Sequence, residues 1–356
     1  MITVMIGPRY NYNPIPELNL NSTQLKYRDI FADKVSRGEY VYQKVPCAIC
    51  MGNDFEVLAE KDMHGLNIIT VICKECGLIQ TNPRMTKETA AAFYENEFRN
   101  LYEGGEVLKD DTFSNQYAFG KITERLLSAK TGTKSWKDKV VVEIGCGTGG
   151  TLKYFQDQGC TVYGVEYDPD CVQYARSRGV NVEQGEIGNI IKRRVSADAV
   201  LYSHVLEHVY NPREELEFVR KILKADGVIY ATFPGVRALR YTYKQNFILM
   251  LQNAHNHYFT AVTVDNLAKA AGFRTLYVDD EIRTVLQPHD YDQSKKLEFI
   301  SDYPDIVNFI RHVEQERLNH RPHQSVKRKL RKIIIRILRT LKLYDFVQKM
   351  YYKIIY

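Results

Sequence analysis

Val140–Gly150 reads VVVEIGCGTGG. The apolar run has the character of a buried strand, and Gly145, Gly147, Gly149 and Gly150 follow as a tight turn into a helix. Glycine tolerates positive φ and leaves room for a ligand against the backbone, so a nucleotide-like ligand at this bend is the first expectation. Two patterns overlap in these letters. Gly145, Gly147 and Gly150 satisfy G-x-G-x-x-G, and Glu166 lies 21 residues after Gly145, where a dinucleotide fold places its ribose-binding acid. The same stretch is also E-x-G-x-G-x-G, with the acid Glu143 ahead of the glycines.

Working outward, a second acid closes the next apolar run in VYGVEYDP (Val162–Pro169), and Asp168 before Pro169 is a ready helix cap. Val180–Glu183 reads as a third strand, with Glu186 and Ile187 after it. Ala197–Tyr202 reads as a fourth, leading into SHVLEHV (Ser203–Val209). LKADGVIYATFPG (Leu223–Gly235) holds a fifth, and Arg274–Asp279 and Arg283–Leu286 a sixth and seventh. Over roughly 138–286 this series resembles the class I S-adenosylmethionine-dependent methyltransferases.

The resemblance implies an α/β, Rossmann-like, seven-stranded sheet whose last two strands form an antiparallel pair at one edge. It also implies S-adenosylmethionine as cofactor. Glu143, Gly145, Gly147 and Gly149 would meet its aminoacyl end, Glu166 its ribose hydroxyls, and Glu186 and Ile187 its adenine. His204 would stand near the reacting methyl. His204 and His208 also have metal-ligand spacing on a helix, but no third ligand is evident nearby, so hydrogen bonding or cofactor contact is the favoured reading.

Upstream, VPCAICMGNDF and VICKECGLIQTNPR set Cys47, Cys50, Cys73 and Cys76 in the spacing C-x2-C-x22-C-x2-C. Two such knuckles suit one tetrahedral zinc ion in a ribbon-like module. Four thiolates fill the shell, so the site is expected to be structural and closed. His64, between the pairs, reads as a packing residue. Some sugar methyltransferases resemble this arrangement of a metal module before the catalytic domain, which implies a carbohydrate-related acceptor. Residues 86–130 read as helices, and Tyr94, Tyr102, Tyr117 and Phe119 are candidates for a cofactor cover.

The long connection Gly235–Thr260 should border the acceptor pocket. In it, HNHYFT offers His257 as first candidate for a general base, with His255 and His204 as alternatives. Arg237, Arg240 and Lys244 suit an anionic acceptor, such as a phosphorylated or nucleotide-linked sugar. TVDNLAKAAGF is expected to open a helix at Thr263 or Asp265 and close it at Gly272.

Net charge is +6, but residues 326–356 carry ten Lys or Arg against one Asp, or +9, leaving about −3 for the rest. A near-neutral body argues against nucleic acid as partner of the main domain. The tail repeats Leu330, Ile334, Ile337 and Leu341 at helical spacing among its basic residues. It is read as a basic amphipathic helix for an anionic membrane surface, for a partner helix or for its own domain. A lipid-linked saccharide acceptor would suit the first of these.

The start of the chain has no signal-peptide pattern and no run is long enough to span a bilayer, so a cytoplasmic protein, peripheral at the inner membrane face, is expected. The segments are then 1–40 lead-in, 41–85 metal module, 86–135 helical cover, 136–287 methyltransferase domain, 288–325 polar connection and 326–356 basic tail. Two readings compete with methyl transfer: an NAD-dependent sugar-modifying enzyme and a non-catalytic zinc-containing binding module.

Overall fold

The computed structural model describes residues 5–104, 109–291 and 297–319. The first part is built on α1 (Ser22–Ser36), β1 (Tyr42–Gln43), β2 (Phe55–Ala59), β3 (Thr70–Cys73), β4 (Ile79–Thr81), β5 (Arg84–Met85), α2 (Lys87–Asn96), α3 (Phe98–Tyr102) and α4 (Lys109–Thr131). Helix α1 begins where Asn21 and Gln24 form a reciprocal capping box. Phe31, Phe93 and Leu101 then bury the junction of α1, α2 and α3.

The second part alternates strand and helix: β6 (Val140–Ile144), α5 (Gly150–Asp157), β7 (Thr161–Glu166), α6 (Pro169–Ser177), β8 (Val182–Gln184), α7 (Ile187–Lys192), β9 (Ala197–Ser203), α8 (Pro212–Arg220), β10 (Leu223–Thr232), β11 (His257–Tyr258), α9 (Ala261–Ala270), β12 (Phe273–Val278) and β13 (Arg283–Pro288). Seven strands form one sheet in the order β12-β13-β10-β9-β6-β7-β8. The β6–β10 ladders are parallel, and β13 lies antiparallel between β10 and β12. That inserted strand separates this sheet from the all-parallel dinucleotide sheet. Central strands are apolar on both faces, as helices on either side require. Val142, Val200, Ile229 and Ala231 face one core layer, and Val141, Ala199, Leu201 and Val228 the other. Helix α9 opens at Thr260, with Thr263 as the third residue of its capping box, one turn earlier than its sequence suggests.

The four-cysteine module is not a separate bead. Strand β11, which belongs to the 235–260 connection, adds to its sheet to give the order β11-β4-β3-β2. His257 pairs opposite Gln80, and Tyr258 opposite Ile79, antiparallel. Cys47, Cys73, Cys76 and Leu78 share one buried cluster with Phe233, Phe259 and Leu267 of the large domain.

Within the stretch taken from sequence as a polar connection, residues 303–319 are helical. Ile306, Val307, Ile310 and Val313 of this helix pack against Ile72, Ile79 and Tyr258 beside the small sheet. The basic tail at 326–356 lies outside the described residues. Among the described residues, no helix is long and apolar enough to cross a membrane.

Candidate functional site

The glycine turn is held from two sides. Gly145, Gly147 and Gly149 all have φ between 53° and 81°. The N–H groups of Gly145 and Cys146 donate to the carbonyl of Val165, tying the turn to β7 (2.9 and 3.1 Å). From α4, Gln116 Oε1 accepts from Thr148 Oγ1 at 2.6 Å and from Gly150 N at 3.2 Å. A methyl group at Gly150 would stand 2.2 Å from the Phe113 carbonyl oxygen, so only glycine lets α4 sit this close. Gln116 has no signature in the sequence, since α4 precedes the turn by some thirty residues.

Two acids flank this turn. Glu166 ends β7 and accepts from Gly147 N at 2.8 Å and Asp168 N at 3.0 Å, while burial raises its pKa despite those donors. Glu143 is 1 % exposed inside β6. One of its oxygens accepts from Ser203 Oγ at 3.2 Å, and the other has no partner. Burial pushes its pKa up to about 8. A buried carboxylate oxygen without a donor is costly, and a cationic ligand group is the natural complement to it.

Further along the sheet edge, Asp168 caps α6 as expected, accepting from Asp170 N and Cys171 N, and it pairs with Arg99 of α3. Glu186 is exposed and accepts from Tyr167 Oη at 3.2 Å, whereas Ile187 is buried in the core. Tyr167, 69 % exposed beside Glu166, carries no motif of its own in the sequence; its ring is a ready flat surface at this edge.

At the carboxyl end of β9 the chain turns through His204, whose φ is 57° and whose side chain is 62 % exposed. Its Nδ1 lies 3.5 Å from Oε1 of Glu207, which is buried. His208 Nδ1 contacts the Ala254 carbonyl at 3.0 Å and Tyr94 Oη at 2.9 Å. His255, from the 235–260 connection, packs edge-on against His208 with ring centroids 4.7 Å apart.

The HNHYFT segment bridges this turn to the four-cysteine module. Asn256 N and His257 N both donate to the Glu207 carbonyl, at 2.8 and 3.1 Å. Thr81 of β4 donates its N–H to Asn256 O and its hydroxyl to His255 O. His257 itself is fully buried, with Nε2 3.2 Å from an Arg84 guanidinium nitrogen. Burial, then the Arg84 charge, holds its pKa well below the ordinary imidazole value.

Of the proposed cover, Tyr94 and Tyr102 reach the 254–255 region, Tyr102 Oη accepting from Ala254 N at 3.1 Å. Tyr117 instead donates to Asp157 and packs on Tyr154, and Phe119 packs toward Tyr230. Arg237 is engaged by Asp302 at 2.7 Å, while Arg240 and Lys244 are exposed.

The four cysteines converge, with all sulfurs within 4.8 Å of one another. Cys47–Cys76 and Cys50–Cys73 stand at 3.4 and 3.5 Å, far beyond a disulfide bond and close to the edge of a thiolate tetrahedron. Gln80 braces the first knuckle, accepting from Ala48 N and donating to Pro46 O. The donor set fits one zinc-like ion.

Residues 114–278 match the family model described as a methyltransferase domain. Curated relatives include a probable S-adenosylmethionine-dependent methyltransferase of Mycolicibacterium smegmatis, 26 % identical over 135 residues, covering 37 % of this chain and 51 % of the relative. O-methyltransferase 3 of Dictyostelium discoideum is 26 % identical over 226 residues, covering 50 % and 49 %. The chain thus spans about half the length of the curated relatives it matches. Among solved structures, the 1,6-didemethyltoxoflavin-N1-methyltransferase of Burkholderia thailandensis covers 60 % of this chain and 96 % of its own, at 17 % identity and TM-score 0.41. Inserted strand, glycine turn, strand-end acids and matching domain family agree: the fold is that of a class I S-adenosylmethionine-dependent methyltransferase, with an N-terminal four-cysteine cluster able to hold a metal.

Proposed function

We propose that the chain transfers a methyl group from S-adenosylmethionine to a small, sugar-related acceptor. The observation that carries this reading is the pair of acids around the glycine turn. Glu143 presents a buried oxygen without a donor, and Glu166 braces the Gly147 amide beside the turn. Glu143 suits the cofactor's ammonium, Glu166 its ribose diol, and Tyr167 with Glu186 its adenine. The cofactor supplies an electrophilic methyl on a sulfonium. The protein's task is then to align the acceptor, exclude water and accept a proton.

Of the three candidate histidines, His204 suits the base role best. It is exposed at the end of β9, with a carboxylate 3.5 Å behind its Nδ1. His257 lies sealed under Arg84 and suits a bracing role in β11. His255 lines the same corner and is buried. The small sheet that carries the cysteines forms the acceptor side, which supports a carbohydrate acceptor of the kind methylated by enzymes with such a module. Exposed Arg240 and Lys244 suit a phosphorylated, nucleotide-linked or lipid-linked sugar. In this reading the protein works in the cytoplasm, and the 326–356 tail holds it at the inner membrane face.

The test is calorimetric uptake of S-adenosylhomocysteine, followed by transfer of labelled methyl to a panel of nucleotide-linked sugars. Saturable uptake is expected. His204→Ala should lower kcat about 100-fold and leave S-adenosylhomocysteine affinity intact. An unchanged kcat removes His204 as base. Glu166→Ala should do the reverse, weakening cofactor affinity about 100-fold through lost charge-assisted hydrogen bonds. Absence of any saturable uptake by wild type overturns the whole reading.

A further inference from the structure

Glu207, His208 and His255 present one carboxylate and two imidazoles at the carboxyl end of β9, all ligand atoms within 4.8 Å of one another. The four-cysteine site does not include them. We propose that these three side chains hold a divalent first-row transition-metal ion, distinct from the thiolate-bound ion.

Three observations carry it. First, Glu207 is 2 % exposed and neither of its oxygens has a hydrogen-bond partner. Leaving a carboxylate so buried without a hydrogen-bond donor is costly, and a cation between the three groups removes that penalty. Second, His255 Nδ1 is also buried without a partner. Third, the gaps suit ligation better than direct bonding. His208 Nε2 is 4.0 Å from Glu207 Oε1, too long for a hydrogen bond. Ligand bonds of about 2.0–2.2 Å put two donors of one ion roughly 3–4.3 Å apart.

The surroundings also fit. The Ala254 carbonyl contacts His208 Nδ1 and thereby fixes the tautomer that leaves Nε2 free for a metal, a common outer-shell arrangement. Two imidazoles and a carboxylate select iron, zinc or manganese over magnesium or calcium. Three protein ligands leave open positions, and exposed His204 marks the side on which they meet solvent. Resting on the methyltransferase reading, those positions would take a pair of acceptor oxygens, such as vicinal hydroxyls. Glu207 Oε1 stands 3.5 Å from His204 Nδ1 and 4.0 Å from His208 Nε2, so an ion held there lies beside the exposed His204.

The test is cobalt(II) titration of metal-stripped full-length protein, read by elemental analysis and absorption. The thiolate site gives intense sulfur-to-cobalt charge transfer; the proposed site gives only weak visible bands. Wild type should take up a second ion after the charge-transfer signal saturates. Glu207→Gln and His255→Ala should each lose that second equivalent and keep the first, and the retained charge transfer shows that they are folded. Wild type saturating at the thiolate equivalent alone overturns the proposal, as does a second equivalent that survives in both variants. S-adenosylhomocysteine affinity on the same samples separates the two readings, since it does not depend on this ion.

Discussion

Glu143→Gln should abolish a loss of stability that the unliganded protein shows as pH rises from about 4.5 to about 8. The sign follows from where the proton sits. In the unfolded chain this carboxyl titrates near the ordinary glutamate value; in the folded chain burial keeps it protonated up to about 8. The folded state therefore holds more protons between those values, and stability falls as pH rises through the window. Below it the contribution is fully present, and above it the contribution is gone. The full excursion is on the order of 5 kcal/mol. Glutamine copies the shape of the protonated acid without its ionisation, so the variant's melting temperature should stay level over the range where wild type declines. Parallel pH profiles would show that Glu143 titrates normally. The same physics links Glu143 to its ligand. A cofactor ammonium beside the unpartnered oxygen favours the carboxylate, so Glu143 should release a proton when S-adenosylhomocysteine binds at pH 6–7. Calorimetry in buffers of different ionisation enthalpy measures that proton, and it should vanish in the glutamine variant.

The elements around this acid were legible because their signals are local. The apolar run before Gly145, the acid at the end of β7 and the Asp168-Pro169 cap each lie within a few residues of what they control. The cysteine spacing was legible for a different reason: four thiols in two pairs have few structural uses. What escaped was set by long-range contact. Gln116 reaches the turn from a helix before the first strand. His255 meets His208 across 47 positions of chain, so the cluster it makes with Glu207 and His208, which leaves His204 out, had no trace in the local sequence. His257 was placed beside the acceptor by its segment, but its pairing with Gln80 could not be read, and that pairing buries it beneath Arg84. The helix at 303–319 did have a signal. Ile306, Ile310 and Val313 recur at helical spacing in a stretch whose average polarity hid them.

Loss of a metal held by the four cysteines should cripple more than their own module. In an isolated ribbon, metal release unfolds a bead on a string. Here Cys47, Cys73 and Cys76 belong to the cluster that also buries Phe233, Phe259 and Leu267. Strand β4, which follows directly after Cys76 and Leu78, carries β11 on its outer edge, and β11 carries the segment that places Asn256 and His257 on the Glu207 carbonyl. Gly77 adds a third link, since Tyr303 N lies 2.7 Å from where its Cβ would stand, so the 303–319 helix abuts the second knuckle. Structural zinc sites contribute roughly 10 kcal/mol or more, and losing half of that should lower the melting temperature of a 356-residue chain by about 7 °C or more. The order of losses is the sharper test. The glycine turn is braced from α4 and β7, not from the small sheet. Methyl transfer should therefore fall further than S-adenosylhomocysteine affinity. Chelation would also strip an ion from the Glu207 cluster, so Cys50→Ser is the cleaner variant: it removes one thiolate at a half-buried position and leaves Glu207, His208 and His255 untouched. If Cys50→Ser loses its metal, verified by elemental analysis, yet melts and turns over like wild type, the small sheet does not support the acceptor side.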